Sequence, residues 1–116
     1  MNVELTRYKV KQGKSAQVDE WLEFLHQHMD DVLVTLEDEK MYVETIFREH
    51  LGGEEFLYWY SVQGDGGQEV EDSDHWLDKK HLEYWDECID ATFKPVDVKT
   101  EVVMIPSRVR QSFLTS

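Results

Sequence analysis

The sequence is poor in several residue types, and each shortage excludes a class of protein. Cys88 is the single cysteine, so no disulfide forms within the chain and a reducing, cytoplasmic location is expected. No segment approaches the roughly 20 consecutive apolar residues of a membrane-spanning helix. The segment 1–10 lacks the basic region and the apolar run of a secretory signal. The sequence therefore argues against a disulfide-bonded, secreted or membrane-embedded protein.

Positive charge is scarce as well. Only 12 basic residues oppose 25 acidic ones, which gives a formal net charge of -13. A field of that sign repels phosphate backbones and anionic lipid headgroups. We therefore expect neither nucleic acid nor a membrane surface among the partners of this chain.

The chain does contain enough apolar material for one folded domain. Hydrophobic residues make up 41% of the 116 positions, and chains of about 100 to 150 residues usually form one domain. We expect a domain over residues 1–106, followed by a C-terminal tail over residues 107–116. The tail carries Arg108 and Arg110 but no acidic residue, so it is expected to lie over the acidic body or to reach a partner subunit.

The spacing of apolar residues predicts six elements in the order strand, helix, strand, strand, helix, strand. The strands are expected near residues 3–10, 41–50, 56–63 and 98–105, and the helices over residues 15–36 and from a cap at 72–74 to about residue 90. With right-handed crossovers, this order predicts an α+β, ferredoxin-like βαββαβ fold. Its four-stranded antiparallel sheet would carry both helices on one face.

The aromatic run from Phe56 to Tyr60 does not alternate between apolar and polar residues, and neither does the run from Val102 to Ile105. A sheet with one face in water alternates cleanly, so both faces of these strands are expected to be buried. Two copies that pack sheet against sheet, as a homodimer in a dimeric α+β barrel, would provide this burial. The alternative is a monomer with an exposed aromatic patch, which soluble monomers rarely show.

Several segments of the chain resemble a small domain family of unknown function. They are Val3 to Lys14 with the following Val18 to Trp21, Met41 to Arg48, and Asp78 to Trp85. The resemblance extends from residue 3 to about residue 110. That family is similar to the dimeric α+β barrel superfamily, which includes cofactor-free monooxygenases, decarboxylating and dehalogenating enzymes, haem-handling proteins and stress-responsive proteins. The resemblance implies the fold and the dimer, but no particular chemistry, because one such fold hosts many activities.

The second predicted helix carries the first candidate for chemistry. Its apolar arc, at about 100° per residue, consists of Leu77, His81, Tyr84, Trp85 and Cys88. An imidazole on this arc can transfer a proton or bind a metal; the alternative is a buried histidine that anchors the helix through a hydrogen bond. Asp74 and Asp78 precede His81 at helical spacing and can supply a second ligand or orient the imidazole. Such spacings are common in acidic helices, so neither a metal site nor a cofactor is assigned.

The first strand of the predicted hairpin carries the second candidate. One face holds Tyr42, Glu44, Ile46 and Arg48, and the other holds Met41, Val43, Thr45 and Phe47. We expect the second set to face the helices and the first set to line the cavity between the two sheets, near Tyr58 or Trp59. Charges in an apolar enclosure are costly unless they are paired. Glu44 and Arg48 are therefore expected either to form a salt bridge or to bind a polar ligand.

Three functional hypotheses follow from this predicted interior. The first is a homodimer that binds a small apolar or aromatic molecule in the barrel, through Tyr42, Arg48, Tyr58, Trp59 and Trp85. The second is a cofactor-free, monooxygenase-like or related barrel enzyme in which His81 or Glu44 transfers a proton. The third is a structural or regulatory dimer without a ligand. The glycine-rich segment 64–67 lacks the Gly-Lys-Ser or Gly-Lys-Thr ending of a phosphate loop, so it is interpreted as a connector.

Overall fold

Four antiparallel strands form one sheet in the computed structural model, which describes residues 1–114. The strands run in the spatial order β2-β3-β1-β4. Their bounds are β1 Asn2–Lys9, β2 Met41–Leu51, β3 Glu54–Gln63 and β4 Val96–Val98. The helices are α1 Ser15–Gln27, α2 Met29–Asp38, α3 Trp76–Cys88 and α4 Ser107–Leu114, and a 3₁₀ turn lies at Val70–Asp72. Within residues 1–114, no helix has the length and apolar character needed to cross a membrane.

The core lies between the sheet and the helices that cover one of its faces. Its fully buried side chains come from α1, from the central strand β3 and from α3, and include Val18, Trp21, Leu57 and Cys88. The strand order and this one-sided helical layer confirm the predicted α+β, ferredoxin-like arrangement. Burial of these apolar and aromatic surfaces supplies the main driving force for the fold.

The hairpin between β2 and β3 forms as predicted. Gly52 and Gly53 make the two-residue turn, with φ of 60° and 79°. A two-residue turn with two left-handed positions matches the twist of the flanking strands, and glycine adopts it without a steric penalty. The turn sets the register that pairs Glu44 with Ser61 and Ile46 with Trp59.

The long helix predicted over residues 15–36 is divided in two. α1 ends at Gln27, and His28 leaves the helical region with φ −113° and ψ 32° before α2 begins. The His28 ring contacts Phe24 and Trp76, with centroids 4.8 and 5.2 Å apart. Apolar residues keep a three-and-four spacing on both sides of the break, so periodicity alone does not reveal it. The prediction of one continuous helix was therefore wrong at this residue.

The last predicted strand, residues 98–105, is also incorrect. β4 covers only Val96–Val98, and residues 99–106 have no regular structure. Val102 and Met104 are 72% and 85% exposed, so their apolar run does not belong to a sheet. Part of the predicted tail is helical, because α4 occupies Ser107–Leu114, whereas residues 115–116 lie outside the described residues.

Part of the aromatic strand β3 is covered inside a single subunit. Leu57 faces the helices and is fully buried, whereas Phe56 is covered on the opposite face by the Phe93 ring and by the Arg7 guanidinium. The lack of alternation in this strand therefore has a cause within one chain. Tyr58 and Tyr60 remain partly exposed on the face opposite the helices. The homodimer stays a prediction.

Candidate functional site

A cavity of about 830 Å³ lies between the helices and the sheet. Its aromatic wall is formed by Tyr8, Trp59 and Trp85, whose rings meet edge to face with centroids 4.6 to 6.1 Å apart. The same volume is lined by aliphatic side chains of α1 and α2 and by polar side chains of the sheet. The cavity belongs to one subunit and lies on the helical side of the sheet. It is not the space between two sheets that the sequence led us to expect.

The two faces of β2 are the reverse of those predicted. Glu44 and Ile46 line the cavity under the helices, whereas Phe47, expected there, is 54% exposed on the opposite face. Period-two alternation defines two faces but does not say which one the helices cover. A β-bulge between Met41 and Val43 adds a local shift in the strand, and Met41 itself lines the cavity.

Glu44 is held inside the cavity by an indole. Trp59 Nε1 donates a hydrogen bond to Glu44 Oε1 at 3.2 Å. Burial raises the pKa of the Glu44 carboxyl; the bond from Trp59 opposes this effect and the nearby charge of Asp78 adds to it. Glu44 is thus a carboxyl with an elevated proton affinity, oriented by an indole N–H, on the wall of an aromatic cavity.

His81 is held by a second indole. Trp21, which is fully buried, donates from Nε1 to His81 Nδ1 at 3.0 Å. Because Nδ1 accepts this bond, the neutral ring carries its proton on Nε2. Burial lowers the pKa of His81, against a smaller opposing effect of Asp78. His81 is both the hydrogen-bonded helix anchor that the sequence left open and a lining residue of the cavity.

Trp21 is the site residue that sequence reasoning missed. It lies three residues after Val18 and one turn before Leu25, so the helical stripe already contains its position. What the stripe does not show is that an indole N–H on α1 lies opposite the imidazole of α3. This contact, and not Asp74 or Asp78, fixes the imidazole tautomer of His81.

Carboxylates dominate the polar part of the cavity. Asp78, in the first turn of α3, is 4% exposed and lines the cavity beside His81. Glu39, at the C-terminal end of α2, also lines it. Burial raises the pKa of Glu39 to about 8, and the charges of Glu44 and Asp78 contribute further. Across residues 1–114, no three His, Cys, Asp or Glu side chains converge in a way that could hold a metal ion.

The predicted ligand-binding residues separate into two groups. Trp59 and Trp85 line the cavity together with Glu44 and His81. The other three do not: the Tyr42 ring stacks on Phe113 at 4.8 Å, the Arg48 guanidinium binds Glu55, Asp19 and Ser15, and the Tyr58 hydroxyl donates to Glu49 at 2.6 Å. Arg48 is therefore neutralised by α1 and β3 and does not pair with Glu44, so of the two alternatives for this pair the salt bridge does not form.

Comparisons with known proteins agree with this fold. A solved L-rhamnose mutarotase from Formosa agariphila shares it with a TM-score of 0.56 and 14% sequence identity, over 92% of this chain and 100% of that chain. No curated protein matches the sequence. The resemblance to a domain family of unknown function is confirmed, because the sequence profile of that family, DUF6176, matches residues 1–111. The chain is a member of DUF6176, a family of unknown function.

Proposed function

We propose that the cavity binds a small, ring-shaped molecule with hydroxyl groups, such as an aldose, and interconverts its anomers by proton transfer. One observation carries this proposal. Glu44 and His81 line the same aromatic cavity, each is oriented by an indole N–H, and burial shifts their pKa values in opposite directions. Perturbed titratable groups that share a cleft are typical of acid–base sites.

The lining suits a molecule with one apolar and one polar side. Trp59 and Trp85 offer aromatic surface for the C–H face of a sugar ring, and Thr6, Ser61 and Gln63 offer hydrogen-bonding groups. Ligand cavities usually measure about 300 to 1,000 Å³, and the 830 Å³ present here falls in that range. A monosaccharide therefore fits by size and by chemistry.

The reaction needs only proton transfers and the reversible cleavage of one C–O bond. The Glu44 carboxylate takes the proton of the anomeric hydroxyl as the bond between the anomeric carbon and the ring oxygen breaks, which gives the open-chain aldehyde. His81 Nε2–H donates a hydrogen bond to the ring oxygen as negative charge develops there. Glu44 then returns its proton to the ring oxygen. Closure reverses these transfers: Glu44 takes that proton back as the ring oxygen attacks the other face of the carbonyl, and delivers it to the carbonyl oxygen, which becomes the hydroxyl of the second anomer. No oxidant or cofactor is consumed.

The fold neighbour supports this reaction class. The solved structure with the shared fold is an L-rhamnose mutarotase by its name, and a mutarotase interconverts sugar anomers. At 14% identity the likeness supports the fold, and the choice of reaction rests on Glu44, His81 and the aromatic wall. Rhamnose itself is not implied.

Binding without turnover of an apolar or aromatic molecule is the second candidate. The aliphatic side chains of Leu22, Leu25 and Val32 favour it, because they form part of the cavity lining. The carboxyl groups on the same lining favour a ligand that also carries hydrogen-bond donors.

The proposal includes a cytoplasmic location for the protein, which is based on its single cysteine.

Self-association completes the proposal. Phe47 is 54% exposed, and it pairs across the hairpin with the partly exposed Tyr58 on the face opposite the helices. Covering this aromatic patch by a second copy would remove apolar surface from water. Sedimentation at micromolar concentration should give a dimer, and a stable single-copy species would contradict this part.

Anomer exchange measured by NMR saturation transfer tests the function. The protein is added to a panel of aldoses, and the rate of α-to-β exchange is compared with that of Glu44→Gln. We expect about 100-fold slower enzymatic exchange in the variant, because a positioned general base contributes about 10² to 10⁴ in rate. Glu49→Gln is the matched control on the same strand, since Glu49 is exposed and outside the cavity. Equal rates for wild type and Glu44→Gln, or no acceleration for any aldose, would contradict the proposal.

A further inference from the structure

Asp78 is a buried carboxylate that the proposed reaction does not use. Its side chain lines the cavity, and the residue is only 4% exposed. Among residues 1–114, no hydrogen-bond donor or cation pairs with this carboxylate. The carboxylate oxygens keep contact with the solvent in the cavity, and the helix N-terminus at Asp78 offers only partial compensation for the charge. A carboxylate in this position favours a ligand that brings a positive charge or strong hydrogen-bond donors.

The rest of the lining also carries carboxyl groups, of which Glu39 is protonated at neutral pH. The cavity is lined by seven acidic residues and by no lysine or arginine: Glu4, Glu39, Glu44, Glu69, Glu71, Asp78 and Asp86. A ligand with a phosphate or a carboxylate would be repelled. A divalent metal ion is not favoured either, since no three of the possible ligands converge within the described residues. An organic cation fits both findings.

The aromatic wall adds a second attraction for such a cation. Trp59 and Trp85 lie on the same cavity as Asp78, and Trp59 also contacts the His81 ring at 6.1 Å. An ammonium group over an indole face is stabilised by the ring quadrupole, most strongly when water is excluded. Asp78 can then accept charge-assisted hydrogen bonds from the same ammonium.

We propose that the ligand carries a protonated amine, as an amino sugar does, and that Asp78 binds this ammonium group. The idea deepens the proposed function, on which it rests for the ring and hydroxyl part of the ligand. Asp78 thereby selects amine-bearing ligands over their neutral counterparts, and Glu44 and His81 remain the groups that act on the anomeric centre.

Matched sugars test the preference directly. D-Glucosamine, N-acetyl-D-glucosamine and D-glucose present the same ring with an ammonium, a neutral amide and a hydroxyl. Affinities are measured by calorimetry at pH 7 for wild type, for Asp78→Asn and for the control Asp74→Asn, which changes an exposed residue outside the cavity. We expect wild type and the control to bind glucosamine about tenfold more tightly than the neutral sugars, as a charge-assisted bond predicts. Asp78→Asn should lose that preference while it keeps its affinity for glucose.

Two further comparisons make every outcome decisive. Cyclohexylammonium and cyclohexanol repeat the test without a sugar, so failure of the ammonium partner to bind better in both series overturns the amine proposal. Retention of the preference in a folded Asp78→Asn also overturns it. Asp78→Ser serves as the second variant if Asp78→Asn does not fold, and a retained preference in Asp78→Ser has the same meaning. If the protein exchanges the anomers of neutral aldoses but shows no preference for amines, only the amine inference is wrong. If it prefers amines but exchanges the anomers of no sugar, only the proposed reaction is wrong.

Discussion

Replacing Glu39 by glutamine should remove a pH-dependent loss of stability. Burial raises the pKa of Glu39 from 4.5 to about 8, and the charges of Glu44, Asp78, Glu69 and Glu71 act in the same direction. The folded protein therefore holds a proton that the unfolded chain has already lost at neutral pH. Stability from this group is complete below pH 4.5 and is lost as the pH rises through about 8.

The size of the effect follows from linkage. Between pH 7 and pH 9, a carboxyl with a folded pKa of about 8 lowers the free energy of unfolding by about 1.4 kcal/mol when the unfolded group is already ionised. Glu39 keeps contact with water, so solvent screening reduces this figure to about 1 kcal/mol. His81 does not interfere, because its pKa is lowered from 6.5 and its ring is neutral in both states above pH 7.

Urea unfolding followed by tryptophan fluorescence at pH 7, 8 and 9 measures the difference. Burial raises the pKa of Cys88 to about 11, which adds an alkaline loss that wild type and variants share. Glu39→Gln should therefore gain about 1 kcal/mol over wild type on going from pH 7 to pH 9. Glu37→Gln, an exposed position on the same helix, should follow wild type. Parallel stability curves for Glu39→Gln and wild type would refute the reasoning.

Two further variants test the geometry around the cavity. Trp21→Phe removes the N–H donor to His81 Nδ1, so we expect about 1 to 3 kcal/mol lower stability and a changed ¹⁵N tautomer signature of His81; an unchanged signature would show that the indole does not set the tautomer. Gly67→Ala places a Cβ against the backbone carbonyl oxygen of Glu39, closer than non-bonded atoms approach, so urea unfolding should show a loss of about 2 kcal/mol or more, as overpacking against backbone does. Gly66→Ala, which meets no atom within 4 Å but has φ of 78°, should cost only about 1 kcal/mol, and equal losses in the two glycine variants would contradict the close approach.

Much of the fold is encoded in short-range patterns. The Gly52-Gly53 turn between two strands rich in β-branched and aromatic residues identifies the hairpin, and the order of elements then leaves few topologies. The last strand failed because residues 102–105 are apolar without being buried. An apolar side chain prefers burial but does not have to be buried, and Val102 and Met104 remain largely exposed in this subunit.

Only part of the candidate site was predicted, because sequence patterns describe local geometry alone. Helical spacing places His81 on an apolar arc, and strand alternation places Glu44 and Arg48 on one face, both from local geometry. The partners of these groups depend on packing between distant elements. Arg48 binds Asp19 of α1, 29 residues away, and His81 binds Trp21, 60 residues away. Hydrophobic periodicity relates only residues close together in the chain. The orientation of β2 and the role of Trp21 could therefore be seen only in the folded structure.

The tryptophan indole signals provide the most direct test of a functional cavity under the helices. The chain has four tryptophans, and a ¹H–¹⁵N spectrum separates their side-chain N–H groups. Titration with the aldose or amine that binds should shift the signals of Trp59 and Trp85, which line the cavity, and leave exposed Trp76 unchanged. Ligand-induced shifts at Trp76 with none at Trp59 and Trp85 would place binding elsewhere and contradict the account.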